Sequence, residues 1–236
     1  MLRDALELIF ERKEKPEAII TIDGRKYHTL GSGLSPVEDP EPEFVRVSTL
    51  SSLCDYLEMG ESGFDENSFV HIVNPCLVTV RGQLKGSFLQ RPTYLEAIAS
   101  SFELRALPVE DFIIMLQSNF VETEDRESLL RLLSNLRAES TLSIADDGIS
   151  QETTARAGIA KVENVKVPNP VTLKPFRTFP EIEQPESTFV FRMQQGAGSE
   201  IVCRLIESDG GRWKIEAIKR IKEWLEGNVV TKKILA

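Results

Sequence analysis

The hydrophobic positions near the N terminus follow two different periods. Apolar residues recur at helical spacing from Leu2 to Phe10 and predict a short helix, which a nearby proline ends. Residues 18–22 and 25–30 flank an Asp-Gly pair and predict a β-hairpin, because Asp-Gly accepts the positive φ angles of a two-residue turn. Residues 31–43 are rich in proline, glycine and acids and predict a solvated connector.

Amphipathic stripes and short β-rich runs alternate through the rest of the first 140 residues. Apolar residues at helical spacing predict four helices, at residues 48–60, 92–99, 108–120 and 123–137. Ser48 is the predicted N-cap of the first of these, and Pro108 lies in the first turn of the third. β-branched and aromatic residues predict two adjacent strands around a bend at Asn74-Pro75, at residues 68–73 and 76–84.

After residue 138 the pattern changes to that of strands. Five strands are predicted, at residues 141–145, 159–167, 171–179, 188–193 and 200–207. A glycine-containing turn at residues 208–211 then leads into a closing helix with Trp213 and Ile221 on its apolar side. These elements predict an α+β fold, with helices mainly in the first 140 residues, an antiparallel sheet in the C-terminal half and a closing C-terminal helix.

Length and composition indicate a single folded domain. A chain of 236 residues has room for one large domain or two modest ones, and we expect one α+β domain over residues 1–236. The 41% hydrophobic and 28% charged fractions are typical of soluble globular proteins. The N-terminal helix within residues 1–16 and the C-terminal helix and tail at residues 209–236 are expected to be peripheral and to take part in assembly.

The charge balance and the cysteines restrict the partners and the compartment. The chain has 28 Lys and Arg against 37 Asp and Glu, and the resulting net charge of −9 opposes general affinity for nucleic acids or anionic membranes. Its longest apolar runs, of about five residues, are too short to span a bilayer. Three widely separated cysteines predict buried thiols in a reducing cytosol. We therefore expect a cytoplasmic protein without a membrane segment.

The sequence contains no motif for a known reaction or cofactor. Nucleophile-elbow, P-loop and dinucleotide-binding motifs are all absent. Neither the histidines nor the cysteines have the spacing of zinc ligands. We therefore predict no catalytic residue, no metal ligand and no cofactor. A carboxylate-dependent enzyme, with Asp146 and Asp147 or Glu181 and Glu183 as acid and base, is the least favoured alternative.

Two groups of residues combine aromatic and basic side chains and are the candidate binding residues. One group lies on the strands predicted at residues 171–179 and 188–193, and the other belongs to the closing helix. The members are Phe176, Arg177 and Arg192 in the first group, and Arg212, Trp213, Lys214 and Arg220 in the second. The favoured interpretation is that the aromatic rings pack inward while the basic residues stay solvated. The alternative is that they stack and neutralise a nucleotide or single-stranded nucleic acid.

Three segments suggest a relationship to a known family. Residues 47–57 read VSTLSSLCDYL, residues 107–116 read LPVEDFIIML, and residues 167–176 read VPNPVTLKPF. In this order they resemble the YfdQ-like family of bacteriophage and prophage proteins, over roughly residues 18–207. The resemblance implies a phage-encoded protein that acts in the infected bacterial cytoplasm, and the family offers no established active site. The closing helix departs from the family pattern.

These observations together predict a binding protein. We expect a phage-encoded, non-enzymatic cytoplasmic protein that self-assembles into a homo-oligomer and binds a host or phage component. The reasons are the missing catalytic motifs and the presence of strands and an amphipathic terminal helix that can pair between subunits. Binding of a nucleotide or of single-stranded nucleic acid is the alternative, followed by the carboxylate-dependent enzyme.

Overall fold

A computed structural model describes most of the chain. The described residues are 19–22, 25–30, 33–37, 43–59, 67–82, 92–137, 142–146, 151–157, 161–166, 168–195, 201–229 and 232–236. The chain divides into two compact units, Met1–Pro42 and Glu43–Ala236, which are described separately below. The helix predicted between Leu2 and Phe10 lies outside the described residues. The prediction of a single domain stays a prediction.

The first unit contains a three-stranded antiparallel sheet. Its strands are β1 (Ile19–Ile22), β2 (Arg25–Leu30) and β3 (Gly33–Pro36), in the order β1-β2-β3. Ile22 is paired with Arg25, which leaves two residues for the connection and confirms the predicted hairpin. The predicted connector at 31–43 is wrong where β3 pairs with β2. Pro36 is compatible with this strand because β3 lies at the edge of the sheet.

The second unit contains a five-stranded sheet covered on one face by two helices. The strands are β4 (Val45–Val47), β5 (Phe69–Asn74), β6 (Leu77–Arg81), β7 (Thr93–Ile98) and β15 (Lys233–Leu235), in the order β15-β5-β6-β7-β4. The two outermost strands pair in parallel and the others antiparallel. The covering helices are α1 (Leu50–Glu58) and α4 (Arg212–Asn228). Their buried residues join those of the strands in one hydrophobic core.

Helix α1 begins one residue later than predicted. Thr49, rather than Ser48, is its N-cap, and the Thr49 side chain accepts a hydrogen bond of 3.1 Å from the backbone N–H of Ser52. The apolar stripe buries Leu50 and Leu53 completely. The predicted strands on either side of Asn74-Pro75 are also confirmed, as β5 and β6.

Strand β7 replaces the helix predicted at 92–99. Its residues Leu95 and Ala97 are buried on the face that packs against the helices, and they pair with Val80 and Val78 of β6. The local signal of this segment is ambiguous, and its pairing with the neighbouring strand decides the conformation.

The second unit also contains a four-stranded antiparallel sheet with two helices on one face. We call each of these two sheets, together with its covering helices, a layer pair. The strands of the four-stranded sheet are β8 (Leu107–Pro108), β12 (Val171–Leu173), β13 (Ser187–Gln195) and β14 (Ile201–Glu207), in the order β12-β13-β14-β8. The helices are α2 (Val109–Asn119) and α3 (Glu124–Arg137), both as predicted within a residue. Their apolar residues pack against the inner face of the sheet, where the buried side chains include Phe112, Leu116, Leu129, Leu133, Phe189 and Phe191.

The remaining sheet lies between α3 and β12 in the chain. It consists of β9 (Leu142–Asp146), β10 (Gln151–Ala157) and β11 (Lys161–Lys166), in the order β11-β10-β9. Strand β10 was not predicted, because its sequence QETTARA lacks the large apolar residues that mark a strand. The strand predicted at 171–179 ends at Leu173, and Pro175 follows in an irregular segment.

The α+β class is confirmed, and its predicted division is confirmed only in part. Three of the four described helices lie before residue 140, but the longest, α4, is the closing helix near the C terminus. The five-stranded sheet draws most of its strands from residues 45–98, so strands are not confined to the C-terminal half. Among the described residues, no helix is both long and apolar enough to cross a membrane.

Candidate functional site

The structure brings one residue from each predicted binding group together. The guanidinium carbon of Arg177 lies 3.7 Å from the centroid of the Trp213 ring. The contact forms because Gly210 and Gly211 have φ angles of 68° and 78°, which let the chain turn sharply from β14 into α4. Trp213 stands near the start of α4 and meets Arg177 there, so one face of its ring is already covered.

Arg177 is held inside the protein by contacts with an acid, a hydroxyl group and an aromatic ring. Only 7% of it is exposed, and its Nη1 atom forms an ion pair of 2.7 Å with Glu207 at the end of β14. Its Nη2 atom donates to the hydroxyl of Ser187. Burial lowers the pKa of Arg177, while the hydrogen bond that Arg177 donates to Glu207 opposes this effect. Arg177 therefore stabilises the fold, and its charge is not presented to a ligand.

The segment around Arg177 connects the two hydrophobic cores of this unit. Leu173 belongs to the core beneath the four-stranded sheet, and Phe179 belongs to the core of the five-stranded sheet. The Cys76 thiol donates a hydrogen bond of 3.1 Å to the backbone oxygen of Arg177. The Gln184 side chain accepts a hydrogen bond from the Arg177 N–H. These contacts join the two layer pairs through one short segment.

The basic residues on the exposed face of α4 lie next to acidic residues. Arg220 forms ion pairs with Glu216 at 2.9 Å and with Glu183 at 3.3 Å. Two lysines are paired with glutamates one turn further along the helix, Lys219 with Glu223 and Lys222 with Glu226. Much of the positive charge predicted for this helix is therefore neutralised within it. Arg212 and Lys214 are exposed in its first turn.

Phe176 and Arg192 are not part of the contact between Arg177 and Trp213. Phe176 is 49% exposed, and its backbone N–H donates to the oxygen of Asn119 at the end of α2. Arg192 is half-buried in β13, on the face opposite to Phe191 and Met193. The predicted groups do not form one continuous site.

On the face of β13 and β14 that lies opposite the helices, two side chains are exposed and three are half-buried. We use the name outer face for Val190, Arg192, Val202, Arg204 and Ile206, which lie opposite the helix-covered side of the sheet. Val190 is directly opposite Ile206, and Arg192 is directly opposite Arg204. Arg204 is exposed and Ile206 is 40% exposed. Two like charges therefore face each other across neighbouring strands, beside an apolar pair.

Sequence reasoning found only one arginine of this pair. Arg192 was predicted as a binding residue, whereas Arg204 was not. The alternation of buried and exposed residues in β14 indicates that Arg204 points outward. Its position opposite Arg192 depends on the register of the two strands, and the sequence alone does not define that register.

The acidic residues that were considered for catalysis have structural partners where they are described. One Glu181 oxygen accepts hydrogen bonds from the N–H and the hydroxyl of Ser51, in the first turn of α1. Glu183 forms a 2.7 Å ion pair with Lys174, and this contact followed by that with Arg220 lowers the pKa of Glu183. The side chains of Asp146 and Asp147 lie outside the described part.

The cysteines are not activated as nucleophiles. Burial raises the pKa of Cys54 to about 11 and that of Cys203 to about 12, and it also raises the pKa of Cys76. All three thiols are free. In the ranges that the structure describes, no group of three histidine, cysteine or acidic side chains is arranged to hold a metal ion.

An open depression lies at the start of α3, on the helix layer of the four-stranded sheet. Its lining residues are Glu122, Thr123, Glu124, Glu127, Ser128 and Arg131. The side chain of Glu122 is 89% exposed and that of Glu127 is 54% exposed. Arg126 lies beneath them and donates hydrogen bonds to carbonyl oxygens at the end of α2. The depression therefore has an acidic rim above a fixed, buried arginine.

Comparisons with protein-family models, with curated proteins and with solved structures find no match to this chain. The interpretation of the site therefore rests on the geometry described above.

Proposed function

We propose that this protein is a non-enzymatic binding protein that self-assembles, and that the outer face is its binding surface. The observation that carries the proposal is an exposed apolar residue, Ile206, beside the exposed Arg204 on the face of the sheet that the helices do not cover. Arginine and apolar side chains are enriched in the centres of protein interfaces. The phage origin and the cytoplasmic location implied by the family resemblance belong to the same proposal.

The short edge strands of this sheet make the outer face, rather than a sheet edge, the better candidate for the binding surface. The strands at the two edges of this sheet, β12 and β8, are three and two residues long. Such short edges offer few backbone groups to a strand from another subunit. The outer face spans two strands of nine and seven residues and offers side chains instead.

The nucleic-acid alternative has less support from the geometry. Trp213 was its main stacking residue, and one face of that ring is covered by Arg177. Two of the three lysines of α4, Lys219 and Lys222, are paired with glutamates within the helix. Stacking on an aromatic ring beside free positive charge is the usual basis for binding single strands.

The proposal is tested by substituting the apolar part of the outer face. The variant Ile206→Asp places a carboxylate where the interface would exclude water. We expect at least a tenfold weaker self-association, measured by sedimentation velocity over a concentration series. The matched control is Ile114→Asp, because Ile114 is 56% exposed on α2, which packs on the opposite side of the sheet.

Two results would overturn the proposal. One is a wild-type protein that stays monomeric at tens of micromolar, which removes self-assembly. The other is an equal effect of the two substitutions, since the outer face would then have no special part in association. Circular dichroism of both variants verifies that they are folded.

A further inference from the structure

A glutamate continues the outer face beyond the start of β13. Residues 185–193 alternate without interruption between buried and more exposed side chains, which is the pattern of an extended chain with one covered face. In this alternation Glu186 and Thr188 are on the same side as Val190. Glu186 is exposed and Thr188 is half-buried, so a carboxylate lies at this end of the face.

The outer face therefore has opposite charges toward its two ends. Because β13 and β14 are antiparallel, the apolar residues Val190 and Ile206 lie between Arg204 on one side and Glu186 on the other. Arg204 is two residues from Ile206, or about 7 Å, and Glu186 is four residues from Val190, or about 14 Å. In the part of the chain that the structure describes, neither charged side chain forms an ion pair. Each charge is accessible to a partner of opposite sign.

A face with this charge pattern is complementary to a second copy of itself. A two-fold axis that crosses the strands midway between the two charges reverses the direction of one face relative to the other. Arg204 of each copy then lies over Glu186 of the other, and this contact forms twice. Between the two contacts, Ile206 of each copy lies beside Thr188 of the other. A contact between identical surfaces requires such reciprocity, in which each residue of a contacting pair appears once on each copy.

We infer that the outer face binds the outer face of a second copy, and that Arg204 of each copy pairs with Glu186 of the other. This inference rests on the proposed function and names the partner of that surface. Because both copies use the same surface, the contact closes as a dimer and leaves no outer face free for a third copy. The opposite charges fix the direction in which the two faces meet.

The inference is tested by reversing each charge in the full chain. In a homodimer, Arg204→Glu makes carboxylates face each other at both contacts, and Glu186→Arg makes guanidinium groups do so. Each variant is expected to weaken self-association by about tenfold or more in sedimentation velocity. The matched controls are Arg131→Glu on α3 and Glu223→Arg on α4, which make the same changes of charge at exposed helix positions. The controls should associate like the wild type.

Combining the variants distinguishes the two-fold contact from other arrangements. When both substitutions are in one chain, both contacts exchange their signs and stay complementary, so we expect most of the association to return. An equimolar mixture of Arg204→Glu with Glu186→Arg is the sharper test. In a mixed dimer, one contact joins the two introduced residues and the other joins the two native ones, and both pairs have opposite signs. The mixture should therefore form dimers at concentrations at which neither variant associates alone.

The failures of the two proposals differ. If Ile206→Asp dissociates the assembly while the charge-reversal variants behave like their controls, the outer face is the binding surface and the inferred partner is wrong. The inference is also wrong if the mixture of Arg204→Glu with Glu186→Arg stays monomeric, because the two residues then do not face each other. Assemblies larger than a dimer that Arg204→Glu reduces to monomers would contradict the closed contact. A monomeric wild type would remove both proposals.

Discussion

Two arginines near strand β14 have different surroundings: Arg177 is buried beside its last residue, and Arg204 is an exposed residue of the strand itself. At its end, Glu207 binds the guanidinium of Arg177, which is 7% exposed and stacked on Trp213. In its middle, Arg204 points into solvent opposite Arg192. The first arginine has an anion, a hydroxyl and an aromatic ring as partners within the fold. The second faces a like charge, so an anionic group from outside is the partner that would stabilise it.

This difference teaches that an arginine beside an aromatic ring is not by itself a sign of a binding site. A buried charge needs partners from its own chain, because its removal from water is unfavourable. A like charge directly opposite on the neighbouring strand lowers stability, which is consistent with a surface retained for binding. The predictions below measure this difference directly.

The largest effect is expected at the buried arginine. Arg177→Ala leaves Glu207 without its cation and Ser187 without its donor, so we expect a loss of about 3 kcal/mol in the free energy of unfolding. Denaturation by urea measures the loss. Arg204→Ala is the control, and its stability should be unchanged or raised.

A second variant covers the case in which Arg177→Ala does not fold. Arg177→Lys retains the charge and loses the planar group that stacks on Trp213, so it should be destabilised less than the alanine variant. Equal stabilities of Arg177→Ala and Arg204→Ala would contradict the distinction between the two sites.

The next effect concerns the repulsion between Arg192 and Arg204. We expect Arg204→Thr to raise the free energy of unfolding by about 0.5 kcal/mol at low salt, because it removes a like charge from a cross-strand pair. The gain should disappear near 1 M salt, where charges are screened over about 3 Å. Urea denaturation at nanomolar protein concentration separates this effect from self-association.

Another exposed strand arginine provides the matched control. Arg46 on β4 is directly opposite Glu96 on β7 and forms a 3.1 Å ion pair with it. Arg46→Thr should therefore be slightly destabilised at low salt, the reverse of Arg204→Thr. The same sign for both variants would show that the facing arginines do not repel each other.

Local patterns were sufficient for the elements that carry the site. Helices α2 and α3 and strands β13 and β14 all follow from apolar spacing and from proline and glycine positions, because their buried faces match their own periods. The errors occurred where a neighbour decides the conformation. The segment of β7 has few turn signals and a mixed period, so its pairing with β6 determines the result.

The site was predictable only in part for the same reason. The placement of Arg192 on the face opposite to Phe191 and Met193 follows from the alternation within β13. Its approach to Arg204 depends on register, and the stacking of Arg177 on Trp213 depends on how the two hydrophobic cores meet. Both are contacts between residues distant in sequence, for which a single sequence gives no direct signal.

The smallest effect concerns the basic face of α4. Its Arg220 is less buried than Arg177 but, unlike Arg204, it forms ion pairs with acidic residues of its own chain. The pKa of Glu183 is lowered by Lys174 and then by Arg220, so its carboxylate contributes stability above its usual pKa of 4.5, and this contribution is lost as the pH falls through the lowered value. Glu183→Gln should therefore have a lower melting temperature than wild type near pH 7, and the difference should shrink as the pH falls below 4.5. Thermal scans by circular dichroism measure it, with Glu223→Gln as a control, because Glu223 makes only one longer contact of 3.8 Å with Lys219. A variant equal to wild type at every pH would mean that the ion pairs of Glu183 with Lys174 and Arg220 do not stabilise the fold, and Glu216 would then be the acid that holds Arg220.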